Sequence, residues 1–442
     1  MMKKTELSRR AWLKAAGAVG LAGTGLNGRS RQATAHEADS HDWFEHDELG
    51  ALCANFSETE KAKFRKAGDL LEVQPVCLPR GEWLYRDSGG NPMTHLGWPI
   101  AVKIDSVIHV FHPRTFWHVR KRGQQGNPEE CCGAAVARST DDGRTFRPVP
   151  WLKHSCLDDL GPRDRTTHFV GSGGNGAGVM DGKIVVTAAR GAYRSEDNGN
   201  TWQYLPGAGG PEQVPTLPSF GQGPSLLVHP KKGLVSIGVT TDQKLLLRTS
   251  QDYGSTWREE VYQIDEPLQE PSGTIYQGNL ILMPRHDENR YTQFWSDDGW
   301  APFRKARTNI TRGERDTTDV KYNHVSKRIE AIVTNRMGGG PGHEHDNCMT
   351  INLWSIAPDE FMAGSGDWRF EGTLVRSEGR EHDRNNALGL DRDGMHPGGT
   401  IIDAKQGVQY IYIYMGFFSG PSGIYQIKRT LDTNALREHL VQ

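Results

Sequence analysis

The 17 histidines of this sequence are clustered, and the clusters are where chemistry could be done. His95 stands in Thr94-His95-Leu96-Gly97-Trp98-Pro99, His112 and His118 in a run from His109 to His118, and His168 ahead of the glycine-rich stretch Gly171-Ser172-Gly173-Gly174-Asn175-Gly176. Imidazole exchanges its proton near neutral pH, so His95 and His112, with His118 and His168 in reserve, suit transfer of a proton to or from a substrate. The competing reading for each ring is a hydrogen-bonded structural histidine. Arg114, Arg190 and Arg285 recur at similar intervals and suit bidentate capture of a carboxylate or sulfate, with Tyr193 close to Arg190 as a phenolic acid. Trp98, Trp117 and Phe116 could equally serve as aromatic platforms for a sugar. A second cluster, His343-Glu344-His345-Asp346-Asn347-Cys348, puts alternate histidines and a thiol where a structural zinc could close on His286 or His396 as fourth ligand. The glycine-rich stretch lacks the strand-turn-helix context of a phosphate loop, so no nucleotide cofactor is expected.

These groups are far apart in the chain and need a repeat to bring them together. One is present: Ser139-Thr140-Asp141-Asp142-Gly143-Arg144-Thr145-Phe146 returns as Ser195 to Trp202 and as Ser250 to Trp257, at intervals of 56 and 55 residues. A degenerate copy begins at Ser296, 46 residues later, with its glycine displaced. Glycine supplies a positive φ while Ser and Asp bond the turn's own amides, so each copy predicts a hairpin between two outer strands, its aromatic packed sideways. Apolar or alternating runs precede and follow them, among them Lys183–Ala189, Leu234–Thr240, Asn279–Met283, Arg328–Thr334, Met349–Trp354 and Val408–Tyr414. A fold of this kind is all-β: a single β-propeller of four-stranded blades, seven preferred from the chain length and six as the alternative. One helix is expected, near 58–71. The repeated Asp side chains are read as structural, because one active site does not need three equivalent carboxylates.

The repeated turns resemble the Asp-box of sialidases and related propellers. The Arg-Ile-Pro signature that opens sialidases is absent; Leu78-Pro79-Arg80-Gly81-Glu82-Trp83 is the nearest stretch and does not match it. A closer resemblance runs through His95-Leu96-Gly97-Trp98-Pro99, the histidine-rich second strand, the His343/His345/Cys348 cluster and Gly394-Met395-His396-Pro397-Gly398-Gly399 to Asp432. Together these are similar to the propeller polysaccharide lyases, the ulvan lyases in particular. That resemblance implies a seven-bladed propeller, a structural zinc, and β-elimination at a uronic acid within a sulfated polysaccharide. It pairs His95 with His112 for proton transfer; Arg190 as carboxylate neutraliser and Tyr193 as its partner are chosen by blade position. A sialidase-like or rhamnosidase-like hydrolase would need a carboxylate pair or a Tyr/Glu pair, and none stands out. The remaining alternative is a carbohydrate-binding propeller without catalysis.

The first residues carry an address. Ser8-Arg9-Arg10-Ala11-Trp12-Leu13-Lys14, a short Gly/Ala-rich stretch and Ala33-Thr34-Ala35 read as a twin-arginine signal over 1–35, giving a periplasmic or secreted protein with 36–442 as one propeller domain. Removing the signal moves the formal charge from −2 to −8, which argues against nucleic acid as a partner and leaves an anionic polysaccharide to a local basic groove. The apolar stretch is too short for stable membrane insertion. Six cysteines in so long an exported chain do not make a disulfide scaffold. A monomer is expected.

Overall fold

The computed structural model describes residues 71–86, 90, 92–115, 133–149, 176–188, 191–205, 226–240, 242–266, 268–285, 290–311, 318–336, 349–376, 392–417 and 421–431. They form six four-stranded antiparallel blades. Blade I is Ile100–Ile104, Val107–Thr115, Gly133–Ser139 and Arg147–Val149. Blade II is Ala177–Met180, Lys183–Ala188, Gly191–Ser195 and Gln203–Leu205, and blade III is Leu227–His229, Gly233–Val239, Leu245–Ser250 and Arg258–Tyr262. Blade IV comprises Gln269–Tyr276, Asn279–Arg285, Arg290–Ser296 and Phe303–Thr311; blade V comprises Thr318–Asn323, Arg328–Asn335, Thr350–Ile356 and Arg369–Arg376. Blade VI takes Arg392–Asp403, Val408–Phe417 and Ser422–Thr430 from the C-terminal end and its outermost strand, Leu71–Cys77, from the N-terminal side. The ring is thereby closed with strands from both ends of the described chain.

The seven blades preferred from chain length are therefore six. Six was the alternative count, and the described strands account for it: each blade takes four of them. The helix expected at 58–71 lies outside the described residues except for Leu71, which opens a strand. Among the described residues a short helix occurs at Pro358–Met362, with proline at its start and Phe361 buried beneath it.

Six apolar clusters fill the six seams between neighbouring blades. Strand alternation explains why both faces of a second strand must be apolar: in Val408–Phe417, Ile411, Ile413 and Met415 pack toward blade V while Tyr410, Tyr412 and Tyr414 pack toward blade I. The Asp-box turns join third to fourth strands, as their chemistry predicts. In the second copy Ser195 Oγ donates to Asp197 Oδ1 at 2.9 Å and accepts from the Gly199 amide at 2.7 Å, while Thr201 donates to Asp197 through both N and Oγ1. These bonds, Thr201's first, hold the Asp197 carboxyl down to about 2. Gly199 also lacks room for a side chain, since a Cβ there would meet the His109 ring of blade I at 2.2 Å.

Blade VI and blade I are more than packed. The two-residue strand His95–Leu96 pairs with Thr115 and Arg114 of blade I on one side and with Ser422 of blade VI on the other, fusing the two blades into one nine-stranded sheet.

Candidate active site

In an antiparallel four-stranded blade, the first-to-second and third-to-fourth connections lie at one end, and the second-to-third and blade-to-blade connections at the other. The Asp-box turns occupy the first end, so the opposite, crossover end gathers the starts of first strands and the ends of second strands. His95, Trp98, His112, Arg114 and Arg285 are all at that end, the first four of them in one seam.

His112 and Arg114 share the even-numbered face of the second strand of blade I, which also carries Ile108 and Val110 into the seam with blade VI. His112 Nε2 lies 3.5 Å from Cys77 Sγ, on the closing strand. Burial pushes the Cys77 thiol up, and among the described residues it is a free cysteine. His95 enters the same seam from the bridging strand. Its ring centroid is 5.8 Å from that of Tyr414, edge on, and 5.7 Å from that of Trp98, with Trp98 and Tyr414 themselves 5.2 Å apart. Trp98 reaches this position because its backbone turns through a positive φ of 42°, in the left-handed region that a bulky residue adopts only when its surroundings hold it there. His95, His112 and Tyr414 are buried; Trp98 and Arg114 are half-buried and form the outer layer of the group.

A second group stands at the same end of blades IV and V. Arg285 closes the second strand of blade IV and pairs with Glu270 at 2.7 Å, whose own φ is 41°. Arg336, directly after the second strand of blade V, is buried beside Asn335 and Thr350. Nearer the axis Asp319 accepts from Ser272 Oγ of blade IV at 3.3 Å and from the Thr400 amide of blade VI at 3.0 Å, tying three inner strands together.

Tyr193 does not join His95 and His112. It is buried in the seam between blades I and II, on a third strand, among Phe111, Val136 and Ile184. Of His396 only the backbone is described: it lies on the inner strand of blade VI, paired with Tyr414. His118, His168, Arg190, His286, His343, His345 and Cys348 lie outside the described residues. Among the described residues no three His, Cys, Asp or Glu side chains are placed to share a metal ion.

Three groups at this end escaped the sequence reading. Tyr414 was visible only as one of three alternating tyrosines, and the face it occupies depends on which blade closes the ring. Arg336 carries the signal that singled out Arg285, an arginine at the end of a second strand. Glu270 gives no local signal, since its partner arrives from the adjacent strand.

No family model matches the sequence, and no curated protein matches it. Solved structures do. A protein of unknown function from Dyadobacter fermentans superimposes with a TM-score of 0.51 at 15% identity, over 81% of this chain and 99% of that one. Trypanosoma rangeli sialidase in complex with sialic acid gives 0.51 at 15% identity, over 83% of this chain and 60% of that chain. The same sialidase with 2,3-difluorosialic acid, a covalent intermediate, gives 0.52 at 14% identity, over 83% and 59%. The chain thus spans about 60% of the length of these sialidases. What the likeness establishes is the fold: a sialidase-like, six-bladed propeller.

Proposed function

We propose that this chain is an exported enzyme that cleaves a uronic-acid-containing, anionic polysaccharide by β-elimination at the crossover end of blades VI and I. The observation that carries this reading is that His95 packs against Tyr414 and Trp98 in the seam that His112 and Arg114 also face. Elimination needs a cation to neutralise the uronate carboxylate, a base to take the C5 proton and an acid to protonate the departing O4 oxygen. Arg114 supplies the first and stands in the outer layer. The two imidazoles and the Tyr414 phenol supply the base and the acid, and Trp98 gives the sugar ring an apolar face. The reading takes Arg114 for the role first given to Arg190, and Tyr414 for that given to Tyr193, because they share the histidines' seam.

Incubating the purified protein with ulvan and other uronic-acid polysaccharides tests this. Absorbance in the near ultraviolet, where a C4–C5 double bond in a uronate absorbs, should rise, and should fall by at least about a hundredfold in rate in His95→Ala and His112→Ala. A second reading, hydrolysis of an acidic sugar, is favoured by the Arg285–Glu270 pair at the same end and by neighbours that are sialidases. It predicts release of reducing sugar without the absorbance rise, and loss of that release in Glu270→Gln.

The reading carries two further proposals. His343, His345 and Cys348, with His286 or His396, hold a structural zinc: metal analysis should find one zinc per chain, lost in Cys348→Ser. The paired arginines Arg9 and Arg10 direct export, so replacing both with lysine should leave the protein in the cytoplasm.

A further inference from the structure

We infer that Ser422 is a positioning residue that fixes the orientation of the His95 ring; this rests on reading His95 as a proton-transfer group. Ser422 pairs with His95 across the junction of blades VI and I and bonds the carbonyls on both sides of it. Its amide donates to Thr94 O at 3.0 Å, and its hydroxyl donates to Leu96 O at 2.7 Å. The side chain is wholly buried, so the hydroxyl has no water to turn to and Leu96 O is its acceptor. On its other side Ser422 faces Gly416, so close that a Cβ there would come within 2.5 Å of it.

The consequence runs through the next two residues. The His95 ring folds back over Gly97, whose added Cβ would touch Cε1 at 3.4 Å and Nδ1 at 3.5 Å, and then meets Trp98 and Tyr414. Glycine at 97 leaves the Leu96–Gly97 peptide free to turn once Leu96 O loses its donor. Turning that peptide shifts Trp98 and the surface against which the imidazole rests. A ring misplaced by a fraction of its reach loses rate, while Arg114, the cation of the outer layer, stays held by its own strand.

The test uses the full chain labelled at histidine Cε1, with the His95 signal assigned by its disappearance in His95→Gln. In Ser422→Ala the His95 Cε1–H signal should move or broaden while the other described histidines keep theirs, and kcat on a uronic-acid polysaccharide should fall about tenfold to a hundredfold. Ser422→Thr, which keeps the hydroxyl, should restore both. An unmoved His95 signal in Ser422→Ala overturns the inference whatever the activity. A moved signal in a protein whose parent shows no eliminative activity upholds the positioning and overturns the reaction instead. Should Ser422→Ala fail to fold, Ser422→Cys, with a weaker donor, carries the same comparison against Ser422→Thr.

Discussion

His109 and His112 stand three residues apart on one strand and face opposite seams, because strand side chains alternate and the spacing is odd. His112 reaches Cys77 on the blade VI side, whereas His109 lies against the Asp-box turn of blade II, with Nε2 3.2 Å from Asn198 O. Burial, and then the Arg138 guanidinium, hold the His109 ring down to about 4 from an ordinary 6.5. As pH falls through 6.5 the unfolded chain takes up a proton that the folded chain refuses until about 4, so this contribution to stability is complete above that window and lost on acidification. Denaturant unfolding from pH 7 to pH 4 should show His109→Gln losing about 3 kcal/mol less than the parent. At the V–VI seam, Arg429 bonds Glu330 at 2.6 Å with both side chains about 5% exposed or less. Arg429→Met leaves that carboxylate buried without its cation, with only the neutral donors Asn323, Ser326 and Gln409, and should destabilise the fold by about 3–5 kcal/mol in the same assay. At this scale the sequence reveals residue types suited to proton transfer. It does not reveal the partner: His95 and His112 stand out by composition and spacing, but Tyr414 becomes a neighbour of His95 only once blade VI closes on blade I.

The Asp-box turns are the elements most legible from sequence, because their bonds run between residues two to four apart. Ser195→Ala removes both the donor to Asp197 and the acceptor of the Gly199 amide, and should cost about 1–3 kcal/mol, read as a lower melting temperature. The degenerate fourth copy shows where local reading ends. There Asn279 Oδ1 accepts the Gly299 amide, and His229 of blade III, with Nε2 2.9 Å from Gly278 O and 3.0 Å from Gly299 O, reaches across from another blade. The apolar runs Lys183–Ala189 and Val408–Tyr414 are recognisable as strands in the sequence. That they belong to a second position, buried on both faces, follows from packing between two seams. Ile411→Ala, at the V–VI seam, should destabilise by about 2–5 kcal/mol. The bridging strand His95–Leu96 is two residues long and has no periodicity to detect; pairing with two different blades makes it a strand.

In the whole molecule the proposed site and the closure of the ring coincide. Leu71–Cys77 completes blade VI, Cys77 meets His112, and the bridging strand joins blade VI to blade I at the same place. Deleting residues 71–77 should therefore lower the melting temperature and abolish activity together, whereas a substitution at the IV–V seam lowers stability first. Blade number was the part of the architecture least accessible to sequence, since chain length divided by a repeat interval does not say how many residues each blade's four strands use. Digestion of a uronic-acid polysaccharide in water enriched in heavy oxygen tests elimination at this end most directly. Elimination predicts product ends lighter by one water and free of the label, with none formed by His95→Ala; ends that carry the heavy oxygen would contradict it.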